Sequence, residues 1–183
     1  YTTLFRSTDA MIIVSINPEK GTMAMLSIPR DLYVKHPSGS YGKINSIFAW
    51  AFTQNKKNYD LAAPSILGKL TEITGIPLSY YAFIDFKWFE TFLDSLWWIT
   101  IDVPEPIYDS AYPGPNNSYI TFSIQSGTQT LDGATALKYA RSRHSTSDYS
   151  RSRRQQEIIQ GILDKILSSS TLLSPSKMDE LYK

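Results

Sequence analysis

Apolar positions follow two different spacings along the chain. Short apolar runs rich in β-branched and aromatic residues, bounded by proline, glycine or asparagine, predict strands. Apolar residues three and four positions apart predict amphipathic helices. The strands are predicted at residues 11–16, 22–28, 80–84, 99–103 and 119–124. The helices are predicted from residues 43–45 to about 52, and at residues 64–74, 86–96, 134–140 and about 149–167.

The order of these elements predicts the fold class. Strands that alternate with helices are typical of an α/β domain, here an α/β/α sandwich with a central mixed β-sheet and helices on both faces. Asp132, and either Ser147 or Asp148, are predicted helix N-caps, and Gly75 is a predicted C-cap. Residues 36–42 and 105–117 are interpreted as surface loops because they are rich in proline and glycine.

Charged residues flank the first two predicted strands, which a turn at residues 17–21 joins as a hairpin. Arg6 and Asp9 precede the first strand, and Arg30 and Asp31 follow the second. Antiparallel pairing places the start of one strand beside the end of the other. We therefore expect these side chains at one end of the sheet, which makes that end a candidate site.

Composition narrows the class of protein. With 183 residues, 42% hydrophobic and 19% charged, the chain is long and apolar enough for a sizeable core. The absence of cysteine excludes a disulfide framework and thiolate chemistry. A net charge of +1 disfavours nucleic acid as a partner, because nucleic-acid binders usually carry a broad basic excess. No apolar run is long enough to span a membrane, and we expect that an upstream segment, with any membrane anchor, precedes Tyr1.

Positive charge is concentrated in residues 139–156. Five of the seven arginines lie there, with Asp148 as the only acid: Arg141, Arg143, Arg151, Arg153 and Arg154. A guanidinium is always charged and offers a fixed fork of donors that matches phosphate or carboxylate oxygens. Arg151, Arg154 and Gln155 share one face of the last helix near its N-terminus, where the dipole favours an anion. The window predicts a multiply charged anion as ligand; a solvated basic face is the alternative.

Four blocks of the sequence resemble, in order and spacing, the LytR-CpsA-Psr family. The blocks are Ser27-Ile-Pro-Arg-Asp31, Lys43-Ile-Asn45, Leu131-Asp-Gly133 and Tyr139-Ala-Arg-Ser-Arg143 with the following Asp148, Arg151, Arg154 and Gln155. The resemblance covers about residues 6–167 and implies that residues 1–167 form the catalytic domain, with residues 168–183 as a polar tail. It also implies a location on the outer face of the bacterial cytoplasmic membrane.

The activity that the resemblance implies is transfer of a glycopolymer, such as teichoic acid, from an undecaprenyl-pyrophosphate carrier to peptidoglycan. The resemblance also implies a magnesium-dependent phosphotransferase with a pyrophosphatase side activity. Arginines and a magnesium ion suit this chemistry, because phosphoryl transfer mostly needs positive charge around the non-bridging oxygens. A binding or envelope-regulatory module that holds the lipid without turnover is the alternative.

The resemblance further implies roles for single residues. The pyrophosphate ligands would be Arg30, Arg141, Arg143 and Arg151, with Arg154 and Gln155 completing the anion site. Asp9 would bind Mg²⁺, and a further metal ligand of the family would precede Tyr1. The catalytic group would comprise Arg30, Asp31, Arg141 and Asp148. Lys43 would either neutralise the anion or be a surface charge at a helix start.

Two points about these roles stay open. Asp31 and Asp148 could each orient an arginine or deprotonate the acceptor hydroxyl; orientation is favoured for Asp148. The lipid tail needs an apolar site, for which residues 47–52 and 83–93 are candidates, with ordinary core packing as the alternative.

Tryptophans mark the main departure from the family pattern. The family usually has two glycines where Trp97 and Trp98 stand, at a helix end that favours a left-handed residue. Trp88 and Trp50 also lie where glycine is frequent. One hypothesis is that the four codons are UGA triplets that the source organism reads as glycine. Genuine tryptophans would instead reshape the lipid pocket.

Overall fold

The computed structural model describes residues 8, 10–17, 19–20, 22–142 and 148–168. These residues belong to two compact units, Tyr1–Phe83 and Ile84–Lys183. The predicted mixed α/β class is confirmed: the described residues form five α-helices and four two-stranded antiparallel sheets. No helix within those ranges is both long enough and apolar enough to cross a membrane.

The first unit contains two hairpins followed by two helices. Its elements are β1 (Met11–Asn17), β2 (Thr22–Ile28), β3 (Tyr33–Lys35), β4 (Tyr41–Lys43), α1 (Asn45–Gln54) and α2 (Tyr59–Thr74). The predicted hairpin is confirmed, with Met11 opposite Ile28. One core joins its buried face, including Ile13, to the apolar faces of α1 and α2, including Ile47 and Ile66. Burial of these branched side chains against each other is the main stabilising contribution to the unit.

The second unit contains three helices and four strands. Its elements are α3 (Phe86–Ser95), β5 (Ile99–Val103), β6 (Ile107–Pro113), β7 (Tyr119–Ile124), β8 (Gly127–Leu131), α4 (Gly133–Arg141) and α5 (Asp148–Ser168). β5 pairs with β8 and β6 pairs with β7. A second core joins Leu93 of α3, Ile101 of β5, Phe122 of β7, Tyr139 of α4 and Ile158 of α5.

Three predictions about strands and loops differ from the structure. Residues 80–84 form no strand; the hydroxyl of Tyr81 instead donates to Asp60, and the Phe83 ring lies 4.0 Å from that of Phe48. The apolar run therefore reflects contacts between rings and not a sheet. Residues 105–117 are not only a loop, because β6 lies within them. Residues 36–42 likewise include the start of β4. They form the turn between β3 and β4, in which Gly39 has a φ of +93°.

Helix boundaries agree with the predictions except at α2. It begins at Tyr59 instead of Pro64, because the side chain of Asn58 accepts a hydrogen bond from the N–H of Leu61 and caps the helix earlier. Its end at Gly75, with φ 71°, is as predicted. α3 is followed by two left-handed residues, Trp97 at φ 59° and Trp98 at φ 68°, which confirms the conformation expected there.

The short Leu131-Asp132-Gly133 motif fixes the start of α4. Asp132 caps the helix by accepting a hydrogen bond from the N–H of Thr135 at 2.7 Å. The N–H of Gly133 donates to Asp94 of α3 at 2.9 Å. A Cβ on Gly133 would lie only 2.3 Å from the carbonyl oxygen of Glu90, so α3 and α4 approach too closely for any other residue. This motif therefore positions the helix that carries Arg141.

Candidate functional site

The structure brings three predicted site residues of the first unit together. Arg30 and Asp31 follow β2, and Lys43 ends β4. The ammonium of Lys43 lies 2.8 Å from one Asp31 oxygen, and Nε of Arg30 lies 3.8 Å from the other. The N–H of Asn45 donates to the carbonyl of Arg30 at 3.2 Å, which ties the two chain segments together. Asp31 thus lies between two cations, an arrangement that suits orientation of those cations.

Several predicted residues fall outside what the structure describes. Asp9 and Arg143 are not among the described residues, and neither is the side chain of Asp148, although its backbone begins α5. Within the described ranges, no group of three or more His, Asp or Glu side chains is close enough together to hold a metal ion. The roles proposed for Asp9, Arg143 and Asp148 stay predictions.

Arg141 is the last residue of α4, and aromatic side chains hold its guanidinium. The guanidinium carbon lies 4.2 Å from the ring centroid of Phe86 and 5.8 Å from that of Tyr112. One guanidinium nitrogen also donates to the Tyr112 hydroxyl at 3.4 Å. Stacking uses the flat face of a guanidinium and leaves its edge, which carries the N–H donors, directed outward. This arrangement suits recognition of a planar or forked set of anionic oxygens.

Two side chains of α5 satisfy the carbonyl groups at the end of α4. Nε of Arg154 donates to the carbonyl of Tyr139 at 3.0 Å, and a second nitrogen donates to that of Ser142. The side-chain amide of Gln155 donates to the carbonyl of Ala140 at 3.5 Å. The last carbonyls of a helix lack partners within the helix and carry negative partial charge, so a cation there is stabilising. The contacts favour a positioning role for Arg154, while its predicted contact with the anion stays untested.

Burial and neighbouring charge both act on Arg154, whose side chain is only 5% exposed. Burial lowers the pKa of Arg154, and the positive charge of Arg151 lowers it further. Glu157 opposes this effect, and it also accepts hydrogen bonds from the Tyr139 hydroxyl at 2.6 Å and from Arg153 at 3.1 Å. Arg151 and Arg154 are therefore close neighbours, as their helical spacing predicts.

Sequence reasoning missed a buried pair next to these arginines. Asp109 of β6 is 2% exposed and Ser142, the residue after α4, is 1% exposed. The Ser142 hydroxyl donates to one Asp109 oxygen at 2.7 Å, and the N–H of Ala111 donates to the other at 3.1 Å. The position of Ser142 between two arginines was a possible signal. Asp109 was hidden because its strand lies in a segment interpreted as a loop.

Comparison with known proteins gives a family and named relatives. The model of the LytR_cpsA_psr family matches residues 4–183. The polyisoprenyl-teichoic acid–peptidoglycan teichoic acid transferase TagT of Bacillus subtilis (strain 168) is 32% identical over 164 residues, which are 90% of this chain and 47% of TagT. Regulatory protein MsrR of Staphylococcus aureus (strain COL) is 31% identical over 173 residues, which are 93% of this chain and 47% of MsrR. The chain spans about half the length of these curated relatives.

Solved structures also match. TagT bound to LIIa-WTA has 30% sequence identity and a TM-score of 0.70, and the match covers 90% of this chain and 60% of that one. The family protein YwtF (TagT) with bound octaprenyl pyrophosphate lipid has 29% identity and a TM-score of 0.66, over 88% of this chain and 60% of that one. B. subtilis TagV has 28% identity and a TM-score of 0.70, over 95% and 61%.

Proposed function

This chain belongs to the LytR-CpsA-Psr family, and from that premise we propose that it transfers a glycopolymer from a polyprenyl-pyrophosphate carrier to peptidoglycan on the outer face of the cytoplasmic membrane. The observation that carries the proposal is the ring-stacked guanidinium of Arg141 at the end of α4, where Arg154 of α5 binds the carbonyls of Tyr139 and Ser142. Support also comes from relatives whose names state teichoic acid transfer and whose structures contain octaprenyl pyrophosphate.

The proposed reaction is phosphoryl transfer. A hydroxyl oxygen of the peptidoglycan sugar attacks the phosphorus that carries the glycan, and the bond from that phosphorus to the bridging oxygen breaks. Polyprenyl phosphate leaves with the electron pair of that bond, and the hydroxyl proton passes to a base. Arg30 and Arg141 would neutralise the non-bridging oxygens, where charge gathers in the transition state.

Asp31 is proposed to orient cations instead of acting as the base. Its two oxygens already face Lys43 and Arg30, so the carboxylate can hold both cations toward one anion. Lys43 is accordingly proposed to contribute charge to the site. These ion pairs are partly exposed, so their contribution to folding stability is small and their role in the site is the better reason for their geometry.

Magnesium is proposed as the cofactor. Mg²⁺ favours one or two carboxylates together with phosphate oxygens, and Asp9 would supply one such carboxylate beside the pyrophosphate of the carrier. When bound, the ion would supply further positive charge to the pyrophosphate. Asp9 would contribute a carboxylate oxygen to that ion.

The isoprenoid tail is proposed to bind aromatic side chains of residues 47–52 and 83–93. In the first unit, the rings of Phe48 and Phe83 lie 4.0 Å apart, and those of Phe52 and Tyr59 lie 4.7 Å apart. In the second unit, the indole of Trp88 stacks on Phe92 at 4.8 Å and is 47% exposed. Partly exposed rings of this kind suit an apolar ligand with little polarity to recognise.

The decisive experiment combines the chain with a polyprenyl-pyrophosphate-linked glycan and peptidoglycan fragments. We expect glycan to become attached to peptidoglycan and polyprenyl phosphate to be released, with both products lost after chelation of magnesium. Asp9→Ala and Arg141→Ala should each reduce product formation, whereas Ser110→Ala, an exposed position, should not. Lipid binding without any product, with magnesium present, would contradict the proposal.

A non-catalytic role is the second candidate. MsrR is named a regulatory protein and is nearly as similar to this chain as TagT. If the chain is a binding or regulatory module, Arg30→Ala and Arg141→Ala should lose lipid binding, which is also expected for an enzyme. The wild-type module, however, should show no magnesium-dependent release of lipid phosphate. The same assay therefore separates the two candidates.

A further inference from the structure

The pairing of β6 with β7 is irregular at the point that faces the end of α4. Asp109 lies opposite Phe122 and Tyr112 lies opposite Ile120, so a step of three residues on β6 matches a step of two on β7. In a regular strand, residues three apart point to opposite faces. Asp109 and Tyr112 are nevertheless both buried, at 2% and 4% exposure. The bulge therefore turns both side chains inward, as bulges near functional sites often do.

These two inward side chains contact consecutive residues at the end of α4. Tyr112 accepts a hydrogen bond from Arg141, and Asp109 accepts one from the hydroxyl of Ser142. The other oxygen of Asp109 accepts the N–H of Ala111, which lies inside the bulge. One carboxylate thus connects the irregular part of the strand to the residue that directly follows Arg141.

A buried carboxylate at this place needs an explanation. Burial of a charged group is costly unless the group is hydrogen-bonded or paired, and an apolar residue would pack there at lower cost. Asp109 has both kinds of compensation: it accepts hydrogen bonds from Ser142 and Ala111, and its negative charge partly opposes the burial that lowers the pKa of Arg154. Arg154 in turn donates to the carbonyl of Ser142. Ser142 is consequently held through its hydroxyl by Asp109 and through its carbonyl by Arg154.

We propose that Asp109 is a positioning residue, which acts through Ser142 to fix the direction in which Arg141 presents its guanidinium to a pyrophosphate. The proposal rests on the proposed function, since it assigns a partner to the same anion site. β6 then supports the end of α4 through both sides of its bulge. Asp109 holds Ser142 and Tyr112 holds Arg141.

The test measures binding of geranylgeranyl pyrophosphate and geranylgeranyl monophosphate to the chain by titration calorimetry, with thermal melting of each variant alongside. We expect Ser142→Ala and Asp109→Asn to bind the pyrophosphate about tenfold more weakly, a factor typical of one displaced charged hydrogen bond. The preference of these variants for pyrophosphate over monophosphate should also be smaller than that of the wild type. Ser110→Ala is the matched control, because Ser110 lies on the same strand with an exposed side chain, and it should bind like the wild type.

The possible results distinguish failure of the proposed function from failure of the positioning role of Asp109. Wild-type chain that does not distinguish pyrophosphate from monophosphate would overturn the proposed function and this inference with it. If both variants keep the wild-type preference for pyrophosphate over monophosphate, the inference alone is overturned. A lower melting temperature with unchanged affinity would also overturn it, because that result indicates a purely structural role for Asp109 and Ser142. If Asp109→Asn does not fold, Ser142→Ala decides, because it removes one hydroxyl and leaves the carboxylate in place.

Discussion

Two consecutive tryptophans occupy backbone conformations that suit glycine. Trp97 has φ 59° and Trp98 has φ 68°, and their side chains are 81% and 52% exposed. A left-handed conformation costs a residue with a Cβ roughly 1–2 kcal/mol. Exposed indoles recover little of that cost by packing. The turn itself is well formed, since the N–H groups of Trp97 and Trp98 donate to the carbonyls of Asp94 and Leu93 at the end of α3.

The first prediction is that glycine at these positions stabilises the protein. Trp97→Gly and Trp98→Gly should each raise the free energy of unfolding by about 1 kcal/mol relative to the matched Trp→Ala variants, because alanine removes the indole but keeps the Cβ. Urea denaturation of the four variants measures the difference. Equal stability of the glycine and alanine variants would show that the left-handed backbone carries no strain.

The same geometry bears on the coding sequence. If the source organism reads UGA as glycine, the codons for Trp97 and Trp98 should both be UGA in the messenger RNA, which is TGA in the coding DNA. UGG at either codon removes the hypothesis for that position. The backbone conformation supports the hypothesis at these two positions alone, since Trp88 lies inside α3, where no left-handed residue is needed.

At the scale of the helices, the packing of α3 against α4 sets the position of Arg141. The second prediction is that Gly133→Ala destabilises the protein by about 1–3 kcal/mol, since the new Cβ would meet the backbone of Glu90 at 2.3 Å and α4 would have to move. Gly68→Ala is the control: Gly68 lies within α2 with nothing within 4 Å of an added Cβ, so alanine there should stabilise by about 0.5–1 kcal/mol. Urea unfolding of both variants is the measurement, and equal effects would contradict the proposed close contact.

The third prediction concerns the cap of α4 and pH. Hydrogen bonds from the hydroxyl and the N–H of Thr135 lower the pKa of Asp132. A lowered folded-state pKa means that the contribution of Asp132 to stability is fully present above its unfolded pKa of about 3.9 and is lost as the pH falls through the lower folded value. Asp132→Asn, which retains a capping oxygen, should match the wild type at pH 7 but show a weaker loss of stability between pH 5 and pH 2.

Alanine provides the contrast for the cap. Asp132→Ala should cost about 1 kcal/mol at neutral pH because the N–H of Thr135 loses its acceptor. Urea denaturation over the same pH range measures both variants. If the stability of the Asp132→Asn variant depends on pH in the same way as that of the wild type, the charge of Asp132 does not contribute to stability.

Element prediction from the sequence succeeded where local signals agreed with the tertiary structure. The first hairpin, α3 and α5 have clear periodicity and strong turn or cap residues. β8, with the sequence Gly-Thr-Gln-Thr-Leu, was missed because its polar residues give little apolar signal, although its whole length pairs with β5. β6 was missed because proline and glycine surround it. The strand predicted at residues 80–84 failed because aromatic residues serve ring contacts as readily as sheets.

At the scale of the whole molecule, the sequence indicated an anionic ligand but not the contacts that position the arginines. Arginine in place of lysine in residues 139–156 predicted an anion site, and the stacking of Arg141 on Phe86 agrees with that use of a guanidinium. The Asp109–Ser142 pair depends on a shift of register between two strands, which no local pattern reveals. The structure adds a role for Arg154 that the sequence did not indicate, since it donates to the carbonyls of Tyr139 and Ser142; its contact with the anion stays a prediction.

The central claim is that arginines identified from the sequence bind the pyrophosphate of a lipid carrier. The fourth prediction is that removing the charge of Arg30, or that of Arg141, weakens binding of a pyrophosphate. A charged hydrogen bond of this kind contributes roughly 1.5–3 kcal/mol, or about tenfold to a hundredfold in affinity.

The most direct measurement is the affinity of Arg30→Gln, Arg141→Gln and Arg153→Gln for geranylgeranyl pyrophosphate in the presence of magnesium. Arg153 is the control, because its exposed side chain is paired with Glu157. The account predicts that the first two variants each bind about tenfold or more weakly than the wild type, and that Arg153→Gln binds like the wild type. Arg30→Gln with wild-type affinity would contradict the claim.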